Sequence, residues 1–216
     1  MKIPTDHGHL EANLRPPGSG EARGTAVVCH PHPQHGGTMH TKAVFRTAQA
    51  LCEVGFEVLR FNFRGVGSST GSYGAGVGEA EDLAAVLAWV RKRGSGLSVL
   101  VGGFSFGARV ALSAGAEDPG ISALLGLGLP LRMYDFSFLR GVTKPVLLVQ
   151  GELDEFGGGR EIEGLVASPD GPVTVRVIPG ADHYFHDHFE ELQDVVREYF
   201  TDGPGALPFP PRPASA

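Results

Sequence analysis

The sequence is poor in the features that staple a protein, anchor it in a membrane or draw it to polyanions. Cysteine occurs twice in 216 residues, as Cys29 and Cys52, which is too few for a disulfide framework. The two fall in a predicted strand and a predicted helix, as buried thiols in a reducing cytosol would. Positive charge is in deficit: 18 Lys and Arg face 24 Asp and Glu, a formal net charge of −6. There is no basic stripe, which argues against nucleic acid or an anionic membrane as partner. No apolar run reaches the length of a membrane span. The opening MKIPTDHGHL lacks the apolar core of a secretory signal. A cytoplasmic protein is expected.

What remains is ordinary for a packed core: 42% hydrophobic and 19% charged residues, with 32 glycines. The length suits one domain over 1–216. Its last stretch, 203–216, is a Pro- and Gly-rich tail that cannot be helical. That tail reads as a free end, an arm over the surface, or an arm on a neighbour in a homodimer.

Strand and helix patterns alternate along the chain. TAVVCH (25–30) is an apolar, β-branched run, and residues 42–54 place Val44, Ala48, Leu51 and Cys52 at helical spacing. FEVLRFNF (56–63) alternates with Phe56, Val58 and Phe61 inward. Residues 78–93 are a helix with Leu83, Val86, Leu87 and Val90 on one face. Strand 97–104, helix 106–116, strands 121–129, 145–151 and 173–180 and a final helix over 185–200 follow. HLEANLRPP is read as an antiparallel edge strand. The alternation predicts an α/β fold, a mainly parallel sheet with helices on both faces. Such sheets bind ligands at the carboxyl ends of their strands.

Two stretches match Gly-x-Ser-x-Gly: GSSTG at 67–71 and GFSFG at 103–107. The first lies in a glycine-rich loop. The second sits between the strand LSVLVGG and the helix FGARVAL, where a strand-to-helix elbow needs small residues two before and two after the serine. Ser105 is therefore the candidate nucleophile. The plain alternative is a serine that only caps the helix.

Two further strand ends carry an acid and a base. Asp154 follows VLLVQG and His183 follows VTVRVIPG, so Ser, Asp and His can converge on one edge. Glu152 and Glu155 compete with Asp154, while Asp182 reads as a turn residue and His186 and His188 as helix surface. HPHPQHGGTMH (30–40) holds four histidines, which invites a metal reading. It contains no i, i+4 histidine pair and its prolines make it a loop, so no metal or other cofactor is expected. Its other use is to donate to an oxyanion. Pro31 and Pro33 have no N–H, which leaves His32 first and Gln34 second, alongside the N–H of Phe106.

HPHPQHGGTMHTK, RFNFRGVGSSTG, GFSFG, GELDEF and GADHYF together resemble the blocks of the alpha/beta-hydrolase superfamily. They are most similar to its small, cap-less, dienelactone-hydrolase-like group, in the same order from about residue 25 to about residue 200. The resemblance implies Ser105 as nucleophile, His183 as general base, Asp154 as its partner, and His32 in the oxyanion hole. It also implies that Ser68 and Ser69 are structural. Serine stands where dienelactone hydrolases carry cysteine, so dienelactone chemistry is not implied. Gln150 stands where many relatives have histidine, and a Gly157–Gly159 run follows Asp154.

The expected function is hydrolysis of small carboxylic esters by a serine hydrolase. Thioesterase, amidase or acyltransferase chemistry is open to the same residues, and a non-catalytic binding protein is the rival outside enzymes. Only PLRMYDFSFLRGVTK joins the strands 121–129 and 145–151, room for a short helix but not a cap. An open cleft for short acyl chains follows. Met133, Tyr134, Phe136 and Phe138 either line its acyl pocket or form the core of this loop.

Overall fold

The computed structural model describes residues 1–94, 97–165 and 171–206. The apolar runs form the strands β3 (Gly24–Cys29), β4 (Phe56–Phe61), β5 (Ser98–Phe104), β6 (Ala123–Leu127) and β7 (Val146–Gly151). Nearly every residue in them is buried, as strands covered on both faces must be. β8 (Val173–Ile178) closes the sheet as an edge strand, buried at its two ends and partly exposed from Thr174 to Val177.

The N-terminus holds one more strand than its sequence pattern predicts. β2 (Gly8–Arg15) runs antiparallel to β4, and β1 (Lys2–Thr5) pairs outside it as a hairpin. The segment read as an edge strand is therefore second from the edge. Four residues of which only Ile3 is buried are too short to show a period. The eight strands run in the order β1-β2-β4-β3-β5-β6-β7-β8, parallel from β4 to β8.

Helices cover both faces. α1 (Lys42–Glu53) and α5 (Phe189–Thr201) enclose one core, with Val44, Leu51, Leu192 and Val196 packed on Val28, Phe56 and Leu147. α2 (Val77–Arg93) and α3 (Phe106–Glu117) enclose the other, with Leu83, Val86, Val110 and Leu112 packed on Val27, Val101 and Leu148. Phe61 points into this second core while Phe56 and Val58 point into the first, because successive strand residues face opposite ways.

α5 starts four residues later than its periodicity suggests. Phe185 and Asp187 have φ of 57° and 61°, a left-handed backbone that no helix continues through. His186 and His188 thus lie in the turns before the helix. A short helix, α4 (Gly159–Glu163), was not legible in the glycine run. The segment between β6 and β7 contains only a 3-10 turn, Ser137–Gly141, and no cap. The tail from residue 207 onward lies outside the described residues.

The strand order fixes where a ligand can sit. After β3 the chain moves to β4 on one side, then crosses back to β5 on the other. The loops that leave β3 and β5 diverge and open a crevice at the carboxyl edge, the switch point of the sheet.

Candidate active site

Ser105 stands at the end of β5, on that crevice. Its φ of 57° and ψ of −120° are strained for a residue with a Cβ. The strain turns the chain from strand to helix in one residue and lifts the hydroxyl off the sheet. The flanking glycines serve close approach. A Cβ on Gly103 would meet the Gly107 carbonyl carbon at 2.4 Å, and one on Gly107 would meet the His30 carbonyl oxygen at 2.3 Å. Ser105 occupies the N-cap position of α3 but makes no capping hydrogen bond. Its Oγ lies 3.0 Å from His183 Nε2.

His183 is buried and gripped at both nitrogens. Nδ1 lies 2.8 Å from Asp154 Oδ2, which makes Nδ1 the protonated nitrogen and leaves Nε2 to accept from the serine. The Phe104 ring supports the imidazole at 5.0 Å and Phe156 packs on it at 4.6 Å. Asp154 receives the Phe156 N–H on its other oxygen at 2.8 Å. Its competitors are engaged elsewhere or exposed: Glu152 accepts the Gly180 N–H, and Glu155 faces solvent. Asp182 bonds the backbone and ring of His186, as a turn residue does.

The loop after β3 bends over the same crevice. His30 is buried, with Nδ1–H donating to the Pro31 carbonyl and Nε2 accepting the Phe63 N–H. Burial lowers its pKa to about 4, although the Pro31 bond favours the proton. The His32 ring accepts the Gln34 N–H on Nδ1 and meets the Tyr73 hydroxyl through Nε2 at 3.0 Å. The Gln34 N–H is thereby used. Those of His32 and Phe106 have no protein acceptor among the described residues, which leaves both free for an anionic oxygen. Desolvation, then the neighbouring His35, lowers the His32 pKa, which favours the neutral ring that can accept. His35 and His40 are exposed. No three His, Cys, Asp or Glu side chains among the described residues converge in a metal-holding geometry.

A cleft of about 120 Å³ opens over Ser105. Met133 and Tyr134 line it, together with Phe156 and Tyr184 on the His183 side. Phe136 and Phe138 do not. Phe136 is buried, and both rings pack on the Arg109 guanidinium behind the cleft. A hydroxyl, an imidazole and a carboxylate in hydrogen-bonded series, beside two free N–H groups, can activate the hydroxyl and hold a developing oxyanion.

A family model described as an alpha/beta hydrolase domain matches residues 25–194. The chain belongs to the alpha/beta-hydrolase family. The hydrolase is 36% identical over 183 residues to an uncharacterised protein of Rickettsia prowazekii, covering 81% of this chain and 77% of that one. A solved alpha-beta serine hydrolase homologue from Coxiella burnetii superposes with a TM-score of 0.86 at 38% identity, over 92% of this chain and 95% of the other. A lid-less serine hydrolase from Xanthomonas campestris gives 0.86 at 33%, over 98% and 95%. The hydrolase is of this cap-less serine type.

Some residues of the site escaped the sequence pattern. Tyr73 comes from the glycine-rich loop after β4 and reaches the His32 ring across the crevice. Only an aromatic residue in a run of small ones marks it. The loop itself is held by Glu79, whose buried carboxylate accepts the Gly74 and Gly76 N–H groups at 2.9 and 2.7 Å. The glycines after Asp154 are packed rather than loose: a Cβ on Gly157 would meet Leu131 at 2.8 Å, and one on Gly159 would meet Val177 at 2.7 Å.

Proposed function

We propose that this hydrolase cleaves small, uncharged carboxylic esters by way of an acyl-enzyme. The observation that carries the reading is the unbroken series Ser105 Oγ, His183 Nε2, His183 Nδ1 and Asp154 Oδ2, with contacts of 3.0 and 2.8 Å. Ser105 Oγ attacks the acyl carbonyl as His183 Nε2 takes its proton. Asp154 holds the imidazole in the tautomer this requires and stabilises the cation that forms. The His32 and Phe106 N–H groups receive the oxyanion. His183 then gives its proton to the leaving alcohol, and a water activated by the same nitrogen releases the acid.

The cleft supports a small substrate. It is well below the roughly 300–1,000 Å³ of sites for drug-sized ligands, and it is lined by apolar and aromatic side chains, Ser105 and three histidines, without an Asp, Glu, Lys or Arg. Met133 and Tyr134 bound the space for the acyl chain. Thioesters and amides would follow the same steps, and a panel of acyl donors ranks them.

The test is p-nitrophenyl acetate, butyrate and decanoate with wild type, Ser105→Ala and Ser69→Ala, alongside fluorophosphonate labelling. The expected order is acetate and butyrate over decanoate, with kcat falling on the order of 10⁴-fold or more in Ser105→Ala. Ser69→Ala should keep its activity and its label. Activity or labelling that survives in Ser105→Ala would refute the assignment.

A further inference from the structure

β7 is apolar until its penultimate residue, Gln150, whose side chain is fully buried behind the acid loop. The Leu129 N–H donates to Gln150 Oε1 at 2.8 Å. That donor fixes which way the amide faces: its oxygen lies toward the loop after β6 and its NH₂ toward Asp154. The NH₂ lies 2.6 Å from the Gly157 carbonyl, 2.7 Å from Asp154 Oδ2 and 3.1 Å from the Leu129 carbonyl. With two protons to give, it serves the two short contacts and shares the third.

We propose that Gln150 is the positioning residue of the acid: it sets the rotation of the Asp154 carboxylate and so the orientation of the His183 imidazole. The proposal rests on the triad reading above. Oδ2 receives both Gln150 Nε2–H and His183 Nδ1–H, while Oδ1 receives the Phe156 N–H. Turning the carboxylate breaks all three bonds at once. The same amide ties the loop after β6 to the loop after β7, so Asp154 is referenced to two strands. The Gly157 carbonyl reaches the amide from a backbone at φ 149°, packed so closely on Leu131 that a side chain would not fit. An amide suits this place because it donates at every working pH. A cationic donor would instead pair with Asp154 and weaken its hold on the imidazolium.

The experiment measures kcat and KM for p-nitrophenyl acetate from pH 6 to 9 in wild type, Gln150→Glu and Gln150→Leu, with melting temperatures at each pH. Ser105→Ala and Asp154→Asn serve as references. The carboxyl introduced by Gln150→Glu lies beside Asp154, and two adjacent carboxylates resist ionising together. While protonated its single O–H can donate to Asp154 as the amide does, at the expense of the bond to the Gly157 carbonyl. Its kcat should lie within about threefold of wild type at pH 6 and fall about tenfold or more below it by pH 9, with KM within about twofold. Gln150→Leu should lose about tenfold or more in kcat at every pH, and the far-downfield resonance of the His183 Nδ1 proton should move. Wild-type kcat in both variants overturns the proposal. So does a pH-independent loss in Gln150→Glu with an unmoved His183 resonance, which marks a purely structural role. Full activity in Ser105→Ala and Asp154→Asn would instead show that the triad reading has failed, and the proposal with it.

Discussion

In the stretch 67–71 the Ser69 hydroxyl donates to the Asn62 carbonyl at 2.7 Å and accepts the Glu11 N–H at 2.9 Å. In the stretch 103–107 the Ser105 hydroxyl meets His183 Nε2. The two share the pattern Gly-x-Ser-x-Gly, yet their glycines answer different needs. Gly67 and Gly71 have φ of 55° and 84°, values that glycine adopts without steric cost. Gly103 and Gly107 have ordinary φ but lie against backbone that leaves no room for a Cβ. In the second stretch the positive φ falls on the serine itself. A short pattern therefore marks a candidate nucleophile only when the fold strains the serine and keeps its hydroxyl out of local bonds. The first stretch knits the β1–β2 hairpin to β4, through Ser69, Glu11 and Asn62.

The largest effect is expected at Gly107. Gly107→Val should drive a side chain into the His30 carbonyl, costing about 3 kcal/mol or more. The measurable result is a fall in melting temperature together with loss of activity, and an unchanged melting temperature would show that the elbow has slack.

His30 lies between the two stretches, its carbonyl against Gly107 and its ring on the Phe63 N–H at the start of the other loop. Burial holds its pKa at about 4, against about 6.5 when unfolded. Between those values the unfolded chain binds more protons, so stability falls as pH drops from 6.5 toward 4 and changes little with this group above or below. The contribution is roughly 3 kcal/mol. Chemical denaturation of wild type and His30→Gln at pH 7 and pH 4.5 checks it. The variant should lose less stability on acidification, and an equal loss would place the acid sensitivity elsewhere.

Tyr73 links the two stretches, because the loop that carries Ser69 also reaches the His32 ring beside Ser105. Tyr73→Phe keeps the ring against Phe106 and His32 but removes the hydroxyl on His32 Nε2. The His32 N–H should then be less firmly aimed, lowering kcat by about three- to tenfold with little change in KM. A steady-state comparison with wild type, together with the affinity of a boronic acid that mimics the oxyanion, checks this. A changed KM with unchanged kcat would make Tyr73 a substrate contact instead.

Much of this molecule is legible along the chain because its core strands are unbroken apolar runs and its functional groups stand just past them. Ser105, Asp154 and His183 are each readable as candidates because they lie one, three and five residues beyond a strand end, although the carboxylates of Glu152 and Asp182 come earlier in the same loops. The missing N–H of Pro31 and Pro33 points to His32, whose N–H has no protein acceptor among the described residues. The acyl-pocket reading separated on folding: Met133 and Tyr134 reach the cleft, while Phe136 and Phe138 turn back onto Arg109. Periodicity could not foresee that, since all four lie in a loop without a repeating face. The start of α5 at Phe189 departs from the periodicity for a related reason. The left-handed turns at Phe185 and Asp187 are a tertiary choice that holds His183 on the crevice, against the local helical pattern.

Residue order by itself carries the α/β alternation, the buried strands, the elbow and a candidate acid and base, because each rests on local periodicity or on position after a strand. Tertiary structure decided the rest. It tied the Ser69 hydroxyl into local hydrogen bonds and set Ser105 beside His183, gave Gln150 an acid to hold, and brought Tyr73 to His32 across 41 residues of sequence. Those outcomes depend on which strand ends become neighbours, and strand order is set by packing the two helical layers on one sheet, which no local pattern records.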